Sequence, residues 1–285
     1  MTLHIGIVAC SAEGAALCYR TLCAEGAALL GPHAHPEVSL HSLSLADYVD
    51  CLNRSDLRGV GDLMLTSAHK LAAAGADFLI CPDNTIHQAF AHVEPRSPLP
   101  WLHIAEVVAQ AAVQRGHQRL GITGTRWLVD SEVYPEKLGA RGLQAVRPSE
   151  AERAELDRII MDELVYGVFK PESVERFQAV FWRLKDEGCD AVVLGCTELP
   201  LNWSTCQGAN SSSGSSSRRM IFLLPQAFMA ILPLTQQSLR HRSWRWRSGL
   251  RPPGASAGSR RRYTSAAPGL RFPASRRRAA GAGHP

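Results

Sequence analysis

Two short stretches carry residues able to move a proton. In the first, Cys196-Thr197-Glu198 follows the apolar run Ala191-Val192-Val193-Leu194 after a single glycine, Gly195. In the second, Asp83-Asn84-Thr85 follows Phe78-Leu79-Ile80, with Cys81 and Pro82 between and His87 one helical turn beyond Asp83. A thiol at the end of a strand, facing a helix amino terminus, can have a lowered pKa, so Cys196 is a candidate acid or base near neutral pH. Asp83 is either a second acid/base group or the cap of the helix that follows it. His87 is placed either to orient Asp83 or to pack. Thr125 and Thr197 either meet a ligand or satisfy backbone groups at strand ends. Ser11 lies in the first loop, where a helix amino terminus would offer N–H groups to an anion.

These residues need elements to hold them. Each stretch begins with a helix-ending glycine and an Asp two residues later, Gly75 with Asp77 and Gly188 with Asp190, so the chain reads as internally duplicated. Short, β-branched apolar runs of this kind are buried strands of a parallel sheet, and open α/β sheets keep their chemistry at the carboxyl ends of such strands. The first set of elements is strand Leu3–Cys10, helix Ala15–Ala28, strand Val38–Leu45, one or two helices within Asp50–Ala74, strand Phe78–Cys81 and a helix opened by Asn84-Thr85. A proline-rich connector, Pro95–Pro100, precedes the second set. That set runs helix Ile104–Arg115, strand Arg119–Ile122, a loop through Tyr134-Pro135, a strand near Leu143–Val146, helices Glu150–Tyr166 and Glu172–Glu187, and the strand before Cys196. The expected fold is α/β, with two pseudo-symmetric Rossmann-like domains at residues 1–97 and 98–203, mostly parallel sheets, and a ligand cleft between them.

Composition adds a third segment. From Ser204 onward there are fourteen Arg and no Lys, Asp or Glu, which leaves 17 basic against 26 acidic residues up to Trp203. An acidic body of net charge −9 thus carries a basic tail, within a chain of formal charge +5. Residues 204–285 are rich in Arg, Ser, Pro and Gly and are expected to be disordered, with Met220–Leu234 able to dock as a helix or strand. Arginines interleaved with Trp244 and Trp246 suit anionic surfaces in general, but no nucleic-acid-binding fold accompanies them, so no specific nucleic-acid partner is expected. The eight cysteines form no CxxC pair and no zinc spacing, which points to no metal and to a reducing, cytoplasmic setting. The amino terminus lacks a signal-peptide layout, and Met220–Leu234 is short and broken by Pro225 and Pro233, so no membrane span is expected.

Three motifs, in order, resemble the aspartate/glutamate racemase superfamily: Pro82-Asp83-Asn84-Thr85-Ile86-His87, Gly121-Ile122-Thr123-Gly124-Thr125-Arg126 and Leu194-Gly195-Cys196-Thr197-Glu198-Leu199-Pro200-Leu201. The resemblance spans roughly residues 3–202. It implies an active site in the interdomain cleft and racemisation of a small amino acid without a cofactor, by a homodimer. It further implies that Cys196 is one acid/base and that Asn84, Thr85, Thr125 and Thr197, with Ser11, hold the substrate. Glu198 resembles the aspartate branch, which implies acidic amino acids. Asp83 stands where the family's Pro-Cys-Asn-Thr motif has its first cysteine. Cys81 is the alternative thiol, but residues i and i+2 of a strand lie roughly 6–7 Å apart, so it would serve only through a rearranged loop. The tail does not resemble the family's closing strand and helix. Three readings follow: a racemase using Asp83 and Cys196, a single-cysteine enzyme resembling the superfamily's decarboxylases, and a catalytically silent binder of an amino acid or dicarboxylate.

Overall fold

The run Ile5-Gly6-Ile7-Val8-Ala9 is apolar and buried at every position, as a strand covered on both faces must be. In the computed structural model, which describes residues 3–196 and 221–223, it is β1 (Ile5–Ala9), followed by α1 (Ala12–Leu30), β2 (Val38–Ser42), α2 (Leu45–Asn53), α3 (Leu57–Ala73) and β3 (Phe78–Ile80). A 3₁₀ turn (Thr85–Ala89), α4 (Phe90–Val93) and β4 (Trp101–Leu102) complete the first half. The second half runs α5 (Ile104–Gln114), β5 (Arg119–Thr123), α6 (Arg126–Val129), α7 (Val133–Gly139), β6 (Gln144–Val146), α8 (Glu150–Asp162), α9 (Pro171–Asp186), β7 (Ala191–Leu194) and β8 (Ile221–Leu223).

The two sheets have one plan, with strand orders β2-β1-β3-β4 and β6-β5-β7-β8. Every pairing is parallel. The duplication extends to the two acids. Asp77 accepts from the backbone N–H of His4 at 2.7 Å, and Asp190 accepts from those of Gln118 at 2.7 Å and Arg119 at 3.2 Å. Each carboxylate therefore ties the loop before one central strand to the start of its neighbour. The preceding glycines, Gly75 and Gly188, have φ of 92° and 90°, the left-handed region that ends a helix without steric cost only for glycine.

One helix serves both sheets. Ile104 and Val107 of α5 pack with Ile5, Ile7 and Ile80, while Ala105, Val108, Ala109 and Ala112 pack with Leu120, Ile122 and Val193. Its small residues let the second sheet come close on that side. β4, which follows the proline-rich connector, belongs to the first sheet through Leu79↔Trp101 and Ile80↔Leu102.

Several elements differ in detail from the sequence expectation. The second strand stops at Ser42 instead of Leu45, because Ser44 accepts from the Ala46 N–H at 3.3 Å and caps α2. Tyr134-Pro135, expected in a loop, lie in α7: a proline in the first helical turn forfeits no intrahelical hydrogen bond. The tail lies outside the described residues except for β8, which falls inside the segment Met220–Leu234 expected to dock. Among the described residues, no helix is long and apolar enough to cross a membrane, and no group of three His, Cys, Asp or Glu could hold a metal ion.

A close backbone approach lies beside Cys196. The Gly195 N–H donates to the Thr123 carbonyl at 2.8 Å, and a Cβ on Gly195 would lie 2.4 Å from that oxygen and 2.5 Å from Leu128 Cδ2. Gly195→Ala is therefore expected to force β5 and β7 apart at their ends, at a cost of roughly 1–3 kcal/mol. Thermal unfolding followed by circular dichroism should show a melting temperature lower by several degrees; an unchanged one would mean that the two strand ends separate freely.

Candidate active site

Parallel strands deliver loops at their carboxyl ends, and the four central strands deliver theirs to one place. A small cleft is lined by Cys10 and Ser11 after β1, Asp83, Asn84 and Thr85 after β3, Thr125 after β5, and Gly195 and Cys196 after β7. In a 2-1-3-4 sheet the connections reverse direction between strands 1 and 3, and this opens a crevice at their carboxyl ends. Here two such crevices face one another. Of the seven residues expected in the site, the structure brings together Cys196, Asp83, Asn84, Thr85, Thr125 and Ser11; Thr197 lies outside the described residues.

Local structure explains each position. Ser11 caps α1, its Oγ accepting from the Gly14 N–H at 3.2 Å. Thr125 caps α6, accepting from the Leu128 N–H at 3.3 Å, and its hydroxyl also shares a 2.9 Å hydrogen bond with that of Thr85. Asp83 Oδ1 accepts from the Ile86 N–H at 3.2 Å, so Asp83 does cap the turn that follows it, while also lining the cleft. Tyr134 of α7 donates to Asn84 Oδ1 at 2.6 Å. The Thr and Tyr–Asn bonds both cross from one half of the chain to the other.

His87 orients Asp83 through the backbone. Its Nδ1 donates to the Asp83 carbonyl at 2.7 Å and its Nε2 accepts from the Ile104 N–H at 3.3 Å, which fixes one neutral tautomer. Burial, and then the neighbouring His103, hold its pKa well below the usual range. The loop bearing Asp83 is thereby pinned to the start of α5. Cys81 is wholly buried, with its Sγ 3.7 Å from the Asp83 carbonyl, and it is absent from the cleft lining. Burial, with the Asp83 charge second, pushes its thiol well above the ordinary range.

The described lining residues are of two kinds. Hydroxyls and an amide come from the strand ends, while apolar side chains come from Leu45, Val49 and Leu52 of α2, Trp127 of α6, Ile160 and Met161 of α8 and Val165 after it. Among the described lining residues Asp83 is the one charged group. Sequence reasoning missed Cys10, Tyr134 and these apolar residues. Cys10 had a signal, being a thiol directly after a central strand. The apolar residues had none beyond ordinary amphipathic spacing.

Residues 7–208 match the Asp/Glu/hydantoin racemase family. The chain belongs to that family. Among its relatives is the broad specificity amino-acid racemase RacX of Bacillus subtilis, 22% identical over 168 residues, which are 58% of this chain and 70% of RacX. The fold is also that of an aspartate racemase homologue from Pyrococcus horikoshii, at 24% identity and a TM-score of 0.66, covering 83% of this chain and all of the other. The aspartate racemase of Picrophilus torridus superposes with a TM-score of 0.63 at 15% identity, covering 82% of this chain and 94% of the other. This Asp/Glu/hydantoin racemase family member thus has the expected α/β architecture, with Asp83 and Cys196 at the ends of corresponding strands, β3 and β7.

Two buried imidazoles beside the Asp83 loop give the protein a pH signature. Burial, and then Lys137, lower the pKa of His103 to about 3, and His87 is lowered as well; Lys137 and Glu106 are the charged groups facing them. The unfolded chain, with histidines near ~6.5, binds more protons than the folded one below that value. Stability should therefore be full above about pH 6.5 and fall as the pH drops toward 3, His103 alone costing on the order of 2 kcal/mol by pH 5 and His87 adding in the same direction. Urea unfolding at pH 7 and pH 5 checks this. His103→Asn, which can still cap α5, should flatten the pH dependence; an equally steep variant would assign the acid sensitivity elsewhere.

Proposed function

We propose that this family member is a cofactor-independent amino-acid racemase in which Cys196 and Asp83 exchange protons at the substrate Cα from opposite faces. What supports this is that a thiol from β7 and a carboxyl from β3, at corresponding positions of two like sheets, line one cleft together with neutral donors. In one direction the Cys196 thiolate removes the α-proton as protonated Asp83 returns one to the other face; the reverse reaction exchanges the roles. A carboxyl has a reference pKa near ~4, so Asp83 must be raised by desolvation once substrate fills the cleft. An α-proton is very weakly acidic, and the developing negative charge is stabilised by preorganised donors, for which Ser11, Asn84, Thr85 and Thr125 are the described candidates and Thr197 the undescribed one.

The proposal includes the expected lobes, residues 1–97 and 98–203, with β4 joining the first sheet from beyond that boundary. It also includes a homodimer, on the strength of the family resemblance, and a cytoplasmic setting, because the described cysteines are scattered free thiols, as suits a reducing compartment. The apolar walls favour a second reading of the substrate. An ionised side-chain carboxylate laid against Leu45, Val49 and Met161 would lose hydration without gaining a partner there, whereas an aliphatic side chain would gain by burial. RacX, described as a broad specificity enzyme, is in keeping with that.

Proton NMR in D₂O of both enantiomers of aspartate, glutamate and leucine should show Cα exchange with inversion for at least one pair. Cys196→Ser and Asp83→Asn should each slow it by about a hundredfold or more. Exchange from a single enantiomer without inversion would replace the racemase with a one-face, single-cysteine enzyme. Binding of these amino acids with no exchange at all would make the chain a silent binder.

A further inference from the structure

We propose that Tyr134 is a positioning residue: it fixes which end of the Asn84 amide faces the cleft, so that the NH₂ group is presented as a donor to a carboxylate. The carboxylate is the amino acid's own, and in that respect the inference rests on the racemase reading above.

An asparagine amide has an acceptor end and a donor end of nearly equal size, and turning it over costs little unless its partners forbid it. Asn84 lines the cleft and is only 2% exposed, and Tyr134 is fully buried. The Tyr134 hydroxyl donates to Asn84 Oδ1 at 2.6 Å, the one hydrogen bond of that hydroxyl among the described residues. Burial pushes the hydroxyl pKa up, so its proton stays on through the physiological range. If the amide were turned over, that proton would be left in a dry interior without an acceptor, and a carbonyl oxygen would face the incoming carboxylate. Both changes are unfavourable.

The other end of the amide supplies the second observation. Among the described residues, Asn84 Nδ2 has no hydrogen-bond partner, although it is shielded from solvent. A buried donor without a partner is costly to maintain, and such groups in folded proteins call for a ligand or a functional reason. Here the nitrogen belongs to a residue lining the cleft and is the end of the amide that Tyr134 does not engage, and the partner assigned to it by the proposal is an anionic oxygen of the ligand. Because Tyr134 sits on α7 and Asn84 follows β3, the same bond also holds this donor at a fixed place between the two sheets. Phenylalanine at 134 would fill the same space and leave the amide free to turn.

The test compares Tyr134→Phe, Asn84→Ala and the double variant. Calorimetric Kd values for L-aspartate and L-leucine are measured in a Cys196→Ser background, and KM and kcat with Cys196 intact. Tyr134→Phe is expected to weaken binding of whichever probe the parent protein takes by about tenfold, and to raise KM by a similar factor with kcat within about twofold. Because Tyr134 acts through Asn84, the double variant should bind no more weakly than Asn84→Ala. An unchanged Kd in Tyr134→Phe, full additivity in the double variant, or failure of the parent to bind either probe would overturn the proposal. NMR of the ¹⁵N-labelled Asn84 side chain tests it without chemistry. Its amide hydrogens should shift on ligand addition and show no Overhauser contact to the Tyr134 ring hydrogens beside the hydroxyl; such a contact would mean the opposite orientation. Absence of Cα exchange would remove the racemase reading while leaving the Kd comparison intact, so the two failures are separable.

Discussion

Wherever two sheets meet at their loop-bearing ends, buried polar groups need partners, and here two pairs of them meet across the join. The Thr85–Thr125 and Asn84–Tyr134 hydrogen bonds each link the loop after β3 to an element of the other half. A buried hydroxyl or amide without such a partner costs on the order of 1–3 kcal/mol, so the relative placement of the two loops is specified by more than apolar contact. Asp83 depends on the same arrangement, because its loop is held by these bonds and by the His87 pair, whereas the loop bearing Cys196 is tied to the end of β5 by the Gly195 N–H donating to the Thr123 carbonyl at 2.8 Å.

The duplicated sheet explains why Asp83 and Cys196, carried by different sheets, line one cleft. A parallel strand order of 2-1-3-4 opens a crevice beside its central strands, and a second copy facing it closes the crevice into a cleft. Helix α5 makes the two halves inseparable, since its opposite faces belong to different cores. Groups from two sheets lining one small cleft are a natural consequence of that geometry. So is the contrast within the cleft, where hydroxyl and amide donors come from the strand ends and the apolar walls from α2, α8 and the residues beside them. Donors that are neutral and already in place can stabilise developing negative charge without reorganising.

Much of this was legible beforehand. The apolar runs named their strands, the repeated glycine-to-Asp spacing revealed the duplication, and the strand-end motifs located Asp83, Asn84, Thr85, Thr125 and Cys196. The sequence misplaced what depends on partners distant along the chain. Tyr134-Pro135 looked like a loop because proline is a breaker in isolation, yet the first turn of a helix tolerates it. Cys10, read only as the end of the first strand, belongs both to the buried core and to the cleft lining. His87 could be assigned neither a packing nor an orienting role from spacing, and it has both.

By itself, the sequence determined which segments are strands and helices, that the pattern occurs twice, and which chemical groups stand at strand ends. These follow from local periodicity and turn chemistry, both written in consecutive residues. Only the tertiary structure decided that the four strand ends converge on one cleft, that apolar side chains of α2 and α8 also line it, and that Tyr134 meets Asn84 fifty residues away. Those facts arise from the packing of α5 between two sheets and from the demand that buried polar groups be paired, and neither can be evaluated until distant parts of the chain are brought together.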